Sequence, residues 1–306
     1  MKLPSTIVFL LLLGIESICN KASAESLLDV RQGFTTTLTK KDVDGAPVPD
    51  PPKNVLQSVK YNSPIGDLAA YITPSPRDGK RHPAMIWIFG GFSNSINETA
   101  WASATPDNDQ SARAFRDAGI IMMYPSLRGG NRNPGYRESF YGEVNDILSA
   151  LDYLAKQEYV DPKRIYLGGH STGGTLALLV AESTDQFRSI FSFGPVSDVR
   201  GYGADALVFD ISKGKEFELR APVKWLHAVS KPTFVFEGTD KPSNIASFNI
   251  LLKASTNPLI HFYSIQGKNH FSTLAPITKV IAAKILLDGG PSSNIQFTQK
   301  ELEGGS

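Results

Sequence analysis

Apolar residues recur along the chain in two alternating rhythms. Short continuous runs lie at residues 55–61, 68–72, 84–89, 120–124, 165–168, 189–193, 233–237 and 260–265, each a strand candidate. The first two suggest an opening antiparallel pair. The later ones suit strands buried on both faces of a sheet. Between them, 111–118, 143–157, 172–182, 243–254 and 276–287 carry apolar residues at helical spacing. In the second of these, Val144, Ile147, Leu148, Leu151 and Leu154 fall on one stripe, with Glu143, Asp152 and Lys156 away from it. Strand followed by helix, repeated, predicts an α/β domain: a mostly parallel eight-stranded sheet with helices on both faces, joined by right-handed crossovers. Ligands of such sheets bind at the carboxyl ends of strands.

The flanks break the rhythm. Residues 1–24 combine Lys2, an apolar run at 7–13 and a small-x-small site, Ala22-Ser23-Ala24, before Glu25, and this reads as a secretory signal peptide. The run is shorter than the about 20 apolar residues needed to span a bilayer. The mature protein is therefore expected to be exported, periplasmic or secreted, with no membrane insertion after cleavage. Residues 25–54, rich in Pro and Asp from 40 onward, form a lead-in; the domain covers 55–288 and a polar tail follows at 289–306. No internal repeat is evident.

Composition narrows the chemistry. The 306 residues are 41% hydrophobic and 20% charged, with Lys and Arg totalling 31 against 30 acidic residues, so nothing favours a nucleic acid or an anionic surface as partner. The single cysteine, Cys19, lies in the signal segment behind Ile18 rather than a small residue, which argues against lipidation. The mature chain would hold neither disulfides nor thiolate metal sites.

Between the strand at 165–168 and the helix from 172 stands Gly169-His170-Ser171-Thr172-Gly173, a G-x-S-x-G pattern in the strand-to-helix context that such a nucleophile requires. Chance alone gives the pattern in roughly one chain in ten of this length, and Ser171 could merely cap the helix, so its partners decide. A serine hydroxyl needs a histidine base held by a carboxylate. In this architecture the acid and then the histidine follow the serine, each in a loop at a strand end. Of the five histidines, His82 and His170 come no later than the serine, His227 sits in a helical segment, and His261 lies inside a strand. His270, in the loop 266–274, is the expected base. Asp240, just after the strand at 233–237, is the expected acid, with Asp198 as substitute and Glu237 disfavoured because it still belongs to the strand. Asp240 could instead only start a turn. The oxyanion would be held by the backbone N–H of Thr172 and by that of Gly91 or Phe92, in the glycine-bearing loop after the third strand. No cofactor or metal is called for.

From about residue 55 to 287 the chain resembles the α/β-hydrolase fold. The stretches PSLRGGNRNPGY, YVDPKRIYLGGHSTGGTLALL, RAPV, FVFEGTD and KNHF are similar to the catalytic domain of the prolyl oligopeptidase family of serine hydrolases. The resemblance implies Ser171 as nucleophile, Asp240 as acid and His270 as base. Two departures stand out. Peptidases of that family place a β-propeller before this domain, whereas residues 25–54 leave no room for one. They also carry a tyrosine whose hydroxyl helps hold the oxyanion, where this chain has Phe89.

Phe89, Arg128 and Tyr202 are candidate substrate contacts, although for Arg128 the role of bracing its loop is the stronger expectation. Residues 194–232, with Tyr202, Phe209, Phe217 and Trp225, form an insertion that either caps the serine or fills the core. The expected activity is hydrolysis of an ester or amide through an acyl-enzyme, first as a carboxylesterase on small esters. The alternative is a peptidase on short peptides. A non-catalytic binding protein on the same fold is a third reading. Oligomeric state is left open.

Overall fold

The computed structural model describes residues 25–304, so the signal segment lies outside the described residues. Eight strands form one sheet in the order β1-β2-β4-β3-β5-β6-β7-β8: β1 (Gln57–Ser63), β2 (Gly66–Ile72), β3 (His82–Ile88), β4 (Ile121–Pro125), β5 (Val160–His170), β6 (Ile190–Phe193), β7 (Thr233–Asp240) and β8 (Ile260–Asn269). β1 pairs with β2, and β2 with β4, in antiparallel register; every later pairing is parallel. This is the α/β-hydrolase sheet that the alternation predicts.

The side-chain period of two explains why central strands read as continuous apolar runs. Ala84, Ile86 and Ile88 of β3 point into a core on one face, with Ile121, Met123, Ile165, Leu167 and Val235. Met85 and Trp87 point to the other, where Phe191 stacks on Phe234 and Phe193 on Phe236. The first face is covered by α3 (Glu143–Ala155), α4 (Thr172–Ala181) and α7 (Ile245–Ala254), the second by α2 (Ala114–Asp117) and α8 (Leu274–Leu287). Among the described residues no helix is long and apolar enough to cross a membrane.

β7 and β8 run on beyond their apolar stretches because they remain paired: Glu237 opposes Ser264, Gly238 opposes Ile265, and Asp240 opposes Asn269 after a register shift. That extension bears directly on the site.

The lead-in is tied down more closely than its composition suggests. Its short helix α1 (Leu27–Arg31) buries Leu27 in the main core, and Arg31 donates to the carbonyls of Phe140, Tyr141 and Leu219. Farther on, Glu216, wholly buried, accepts from Thr36 Oγ1, from the Thr37 N–H and from Arg220, whose guanidinium also bonds Thr36. Asp42 pairs with Arg137 at 2.7 Å. Near α1, burial pushes the Glu182 carboxyl well above its ordinary range, against the pull of Arg31.

The insertion 194–232 contains α5 (Gly214–Glu218) and α6 (Pro222–Trp225). Phe209, Phe217 and Trp225 pack into the core on the α3–α4 face, and Arg220 lies over the ring of Phe209. Tyr202 is half-buried and faces the site instead. The chain closes with α9 (Gln299–Leu302), whose Leu302 joins Ile295 and Phe297 on the phenylalanine-rich face.

Candidate active site

Ser171 occupies the turn between β5 and α4 with φ 57° and ψ −114°. A non-glycine residue there is strained, and the surroundings must over-determine it. Its N–H donates to the Phe193 carbonyl at 2.7 Å, while its own carbonyl accepts from the Thr175 N–H at 2.9 Å. Sharp reversal also brings α4 hard against the sheet. A Cβ on Gly173 would strike the carbonyls of Ile88 and Phe89, and one on Gly169 would strike the backbone of Gly173. The paired glycines are thus required by close approach, not by turn formation alone.

His270 follows β8, anchored by its N–H to the Pro242 carbonyl at 2.8 Å. Its Nδ1 lies 3.0 Å from Glu237 Oε2. Glu237 is 1% exposed, and its carboxylate also accepts from the N–H of Gly238 at 2.7 Å and that of Asn244 at 3.1 Å. Two backbone donors therefore hold one buried carboxylate against the imidazole. Asp240 is exposed, its Oδ1 meeting only the neighbouring Thr239 hydroxyl at 3.2 Å. The expectation of Asp240 as the acid is corrected to Glu237: the inward-facing carboxylate sits within the extended β7, and Asp240 comes after the register shift, turned to solvent. Asp198, the substitute, instead pairs with Arg200 and caps a short 3-10 turn.

Gly194, at φ 60°, follows Phe193 and lies against the Cε1 edge of His270 and Oε2 of Glu237, so any Cβ there would collide with both. The same stretch that receives the Ser171 N–H therefore abuts the histidine. His170, the serine's neighbour, adds a second tie: its Nε2 lies 2.9 Å from the His270 carbonyl, its ring centroid 4.5 Å from that of His270, and its Nδ1 3.0 Å from the Gln110 side-chain amide. Burial, with His270 nearby, holds His170 down to about 3, so it is neutral at working pH. Its proton then sits on Nε2 and is donated to the His270 carbonyl, and an amide flip of Gln110, whose oxygen is placed toward Nδ1, would present NH2 to that acceptor nitrogen. Sequence order set His170 aside as a base; its bracing role carried no separate signal.

Thr172 opens α4, and its hydroxyl donates to the Gly91 carbonyl, latching the loop after β3 to the helix. The Gly91 and Phe92 N–H groups have no acceptor within the described chain. As the first helical residue, Thr172 has an N–H that no carbonyl of its helix can receive. Phe89 stacks on Tyr124 with centroids 5.3 Å apart and supplies no hydroxyl. Arg128 is not free for substrate: it is 5% exposed, fully engaged with Asp146 through its backbone N–H, Nε and second terminal nitrogen, and paired with Glu138 at 2.6 Å. It braces the loop after β4. Tyr202 donates or accepts at Thr175 Oγ1, 2.6 Å away, and packs edge-on to Phe92 and flat on Phe140. Among the described residues no group of three or more His, Cys, Asp or Glu is placed to hold a metal.

A strained serine at a strand-to-helix elbow, beside a carboxylate-bound histidine at the carboxyl edge of this sheet, defines a serine hydrolase of the α/β class. Residues 106–272 match the model of the prolyl oligopeptidase family, more than half of the chain, and the chain belongs to that family. It is 24% identical over 267 residues to the dual function macrocyclase-peptidase POPB of Galerina marginata, a match covering 78% of this chain and 35% of that protein. Among solved structures it is similar to a Mycobacterium tuberculosis puromycin-hydrolyzing peptidase, with TM-score 0.61 and 18% identity over 74% of this chain and 38% of the other. It is also similar to a Pyrobaculum calidifontis esterase, with TM-score 0.56 and 18% identity over 76% and 85%. The chain thus spans about a third or less of the length of the curated relatives it matches.

Two outcomes follow from this geometry. Glu237→Gln should lower kcat on any substrate by about 10³–10⁴-fold, through loss of the carboxylate that orients the imidazole, whereas Asp240→Asn should leave it near wild type; the reverse ranking in steady-state kinetics would restore Asp240. For His170 the folded state resists protonation below its ordinary value of 6.5, so the unfolded chain binds more protons between about 6.5 and about 3. The stabilisation that neutral His170 provides is present above 6.5 and lost as pH falls. In urea unfolding at pH 7.5 and 4.5, the gap between wild type and His170→Gln should narrow by about 3 kcal/mol at the lower pH; a constant gap would contradict the buried neutral ring.

Proposed function

We propose that the protein is a serine peptidase acting on short peptides through an acyl-enzyme intermediate. The carrying observation is the 3.0 Å bond from His270 Nδ1 to the buried Glu237, tied to the strained elbow of Ser171 through its neighbour His170, whose Nε2 lies 2.9 Å from the His270 carbonyl. In this mechanism His270 Nε2 takes the proton of Ser171 Oγ as that oxygen attacks the substrate carbonyl. Glu237 keeps the remaining imidazole proton on Nδ1 and stabilises the imidazolium. The N–H of Thr172, with that of Gly91 or Phe92, receives the oxyanion. His270 then protonates the leaving amine, and water, deprotonated by the same imidazole, releases the acid and restores Ser171.

Family membership supports amide over ester as the bond cleaved, since the curated relative is named for peptidase activity. The fit to short substrates draws support from the lead-in. Asp42, Val43 and Asp44 line a cavity of about 260 Å³ with Phe92 and Arg137, so this segment stands at the rim of the cleft. Carboxylesterase action is the second reading. It is favoured by Phe89, which leaves the oxyanion to backbone donors alone.

Ser171→Ala should abolish labelling by a fluorophosphonate probe and reduce turnover by several orders of magnitude; retained turnover would sink the mechanism. On the wild-type protein, kcat/KM for aminoacyl and dipeptidyl anilides should exceed that for p-nitrophenyl acyl esters once each is divided by its rate with hydroxide. A preference for esters on that scale would select the second reading. Export is proposed on the apolar run at 7–13 and the Ala22-Ser23-Ala24 site. The protein recovered outside the cytoplasm should begin at Glu25 by N-terminal mass spectrometry, and a cytoplasmic chain beginning at Met1 would overturn it.

A further inference from the structure

The loop after β3 reaches the nucleophile. A Cβ on Gly90 would lie 3.2 Å from that of Ser171, and the next two residues, Gly91 and Phe92, carry the N–H groups that have no acceptor in the described chain. Gly91, at φ 102°, stands where glycine alone is at ease, so the loop has little stiffness of its own there. Its near end is latched by the Thr172 hydroxyl. Its far end is held by the loop after β4: the Leu127 N–H donates to the Asn94 carbonyl at 2.8 Å, and the Ile96 N–H to Asn131 Oδ1 at 2.6 Å. Gly130 lies so close to the backbone of Asn94 and Ser95 that a Cβ would strike both, so a shift of one loop displaces the other.

That second loop is itself strained. Asn131 and Arg132, neither of them glycine, stand at φ 45° and 61°, an unfavourable arrangement that lasts only where neighbours enforce it. Both are enforced from the lead-in. The Arg132 N–H donates to the Asp44 carbonyl at 3.0 Å, and the Asn131 N–H to Ser95 Oγ at 2.8 Å, while that hydroxyl donates to Asp44 Oδ2 at 2.5 Å. The Asp44 N–H completes the set at the Gly129 carbonyl, 2.6 Å away. The Ser95 hydroxyl is thus the point at which the lead-in and the loops after β3 and β4 meet. Its bond, with one from the Ala46 N–H, holds the Asp44 carboxyl below its ordinary range, so the group is ionised at neutral pH.

We infer that Asp44 is a positioning residue for the oxyanion donors of Gly91 and Phe92, acting through the Ser95 hydroxyl. The inference rests on the acyl-enzyme reading of Ser171. Asp44 itself touches no reacting atom: its carboxylate fixes the far end of the loop, and with the near end latched to Thr172 the N–H groups between have one direction in which to point. Oxyanion donors act on charge that develops in the transition state. Their misplacement therefore weakens transition-state binding and spares binding of the ground state.

Phenethyl trifluoromethyl ketone and the corresponding carbinol separate the two kinds of binding. Ser171 Oγ adds to the ketone carbonyl, its proton passes to His270, and the former carbonyl oxygen becomes an oxyanion; the carbinol has no carbonyl and cannot react. With active protein counted by complete fluorophosphonate labelling, Asp44→Ala should weaken ketone inhibition and lower kcat/KM for p-nitrophenyl acetate in parallel, each by about 10–100-fold, and leave carbinol inhibition within about twofold of wild type. Equal losses for ketone and carbinol would mark a merely structural role and overturn the inference, as would no loss for either. The route through Ser95 is read from the double variant, which should lose no more than Ser95→Ala alone; losses that multiply would overturn it. Should Asp44→Ala fail to fold, Ser95→Ala decides by the same comparison of ketone with carbinol. Wild-type protein that the ketone inhibits no better than the carbinol would instead refute the acyl-enzyme reading, so the two failures are distinguishable.

Discussion

The approach of α4 to the sheet is the constraint on which the rest of the molecule depends. Gly173 lies so close to the Ile88 and Phe89 carbonyls, and Gly174 to that of Phe193, that neither position has room for a Cβ. That contact fixes three neighbouring strands relative to one helix. It forces Ser171 into φ 57°, and it brings the loop after β3 within reach of the Thr172 hydroxyl. Nucleophile and candidate oxyanion donors are therefore consequences of one packing distance. Larger residues at those glycines would push the helix away and dissolve both at once.

Around that contact the histidine and its carboxylate are held mostly by backbone. Pro242, Gly238, Asn244 and Gly194 contribute main-chain atoms or the absence of a side chain, and His170 contributes the one imidazole bond to the loop. Main-chain donors cost little conformational entropy to position, since the strands already fix them. Two of them, the N–H groups of Gly238 and Asn244, converge on the carboxylate of Glu237. The charge of Glu237 is offset by dipoles, which leaves it available to steady an imidazolium.

Much of this was legible in the sequence. Alternating apolar rhythms placed all eight strands and the main helices, because strands buried on both faces and helices with one apolar stripe leave different periods. The G-x-S-x-G pattern located the elbow, and chain order selected His270. The acid was misplaced for a definable reason. Apolar content marks where a strand is buried, whereas pairing decides where it ends, and β7 continues past its apolar stretch through Gly238 to Asp240. Glu237 looked like a strand residue and is one; its side chain nonetheless points to the site. The loop-bracing role of Arg128 was legible but its partner was not, since nothing local announces that Asp146 lies beneath it. The attachment of the lead-in left no comparable signal: apart from Leu27, its anchors are single polar bonds to distant residues, which leave no periodic trace.

Those anchors carry a consequence for the order of folding. Arg31 bonds Leu219, Thr36 bonds Glu216 and Arg220, and Leu38 bridges Phe209. Each partner is made long after the lead-in itself. Residues 25–44 are therefore made before the surface that receives them, which does not exist until the insertion after β6 has been completed. Contacts of such long sequence separation must meet the entropy of closing a long loop before they stabilise anything. The lead-in is in effect a strap fastened over surface that the chain makes only later.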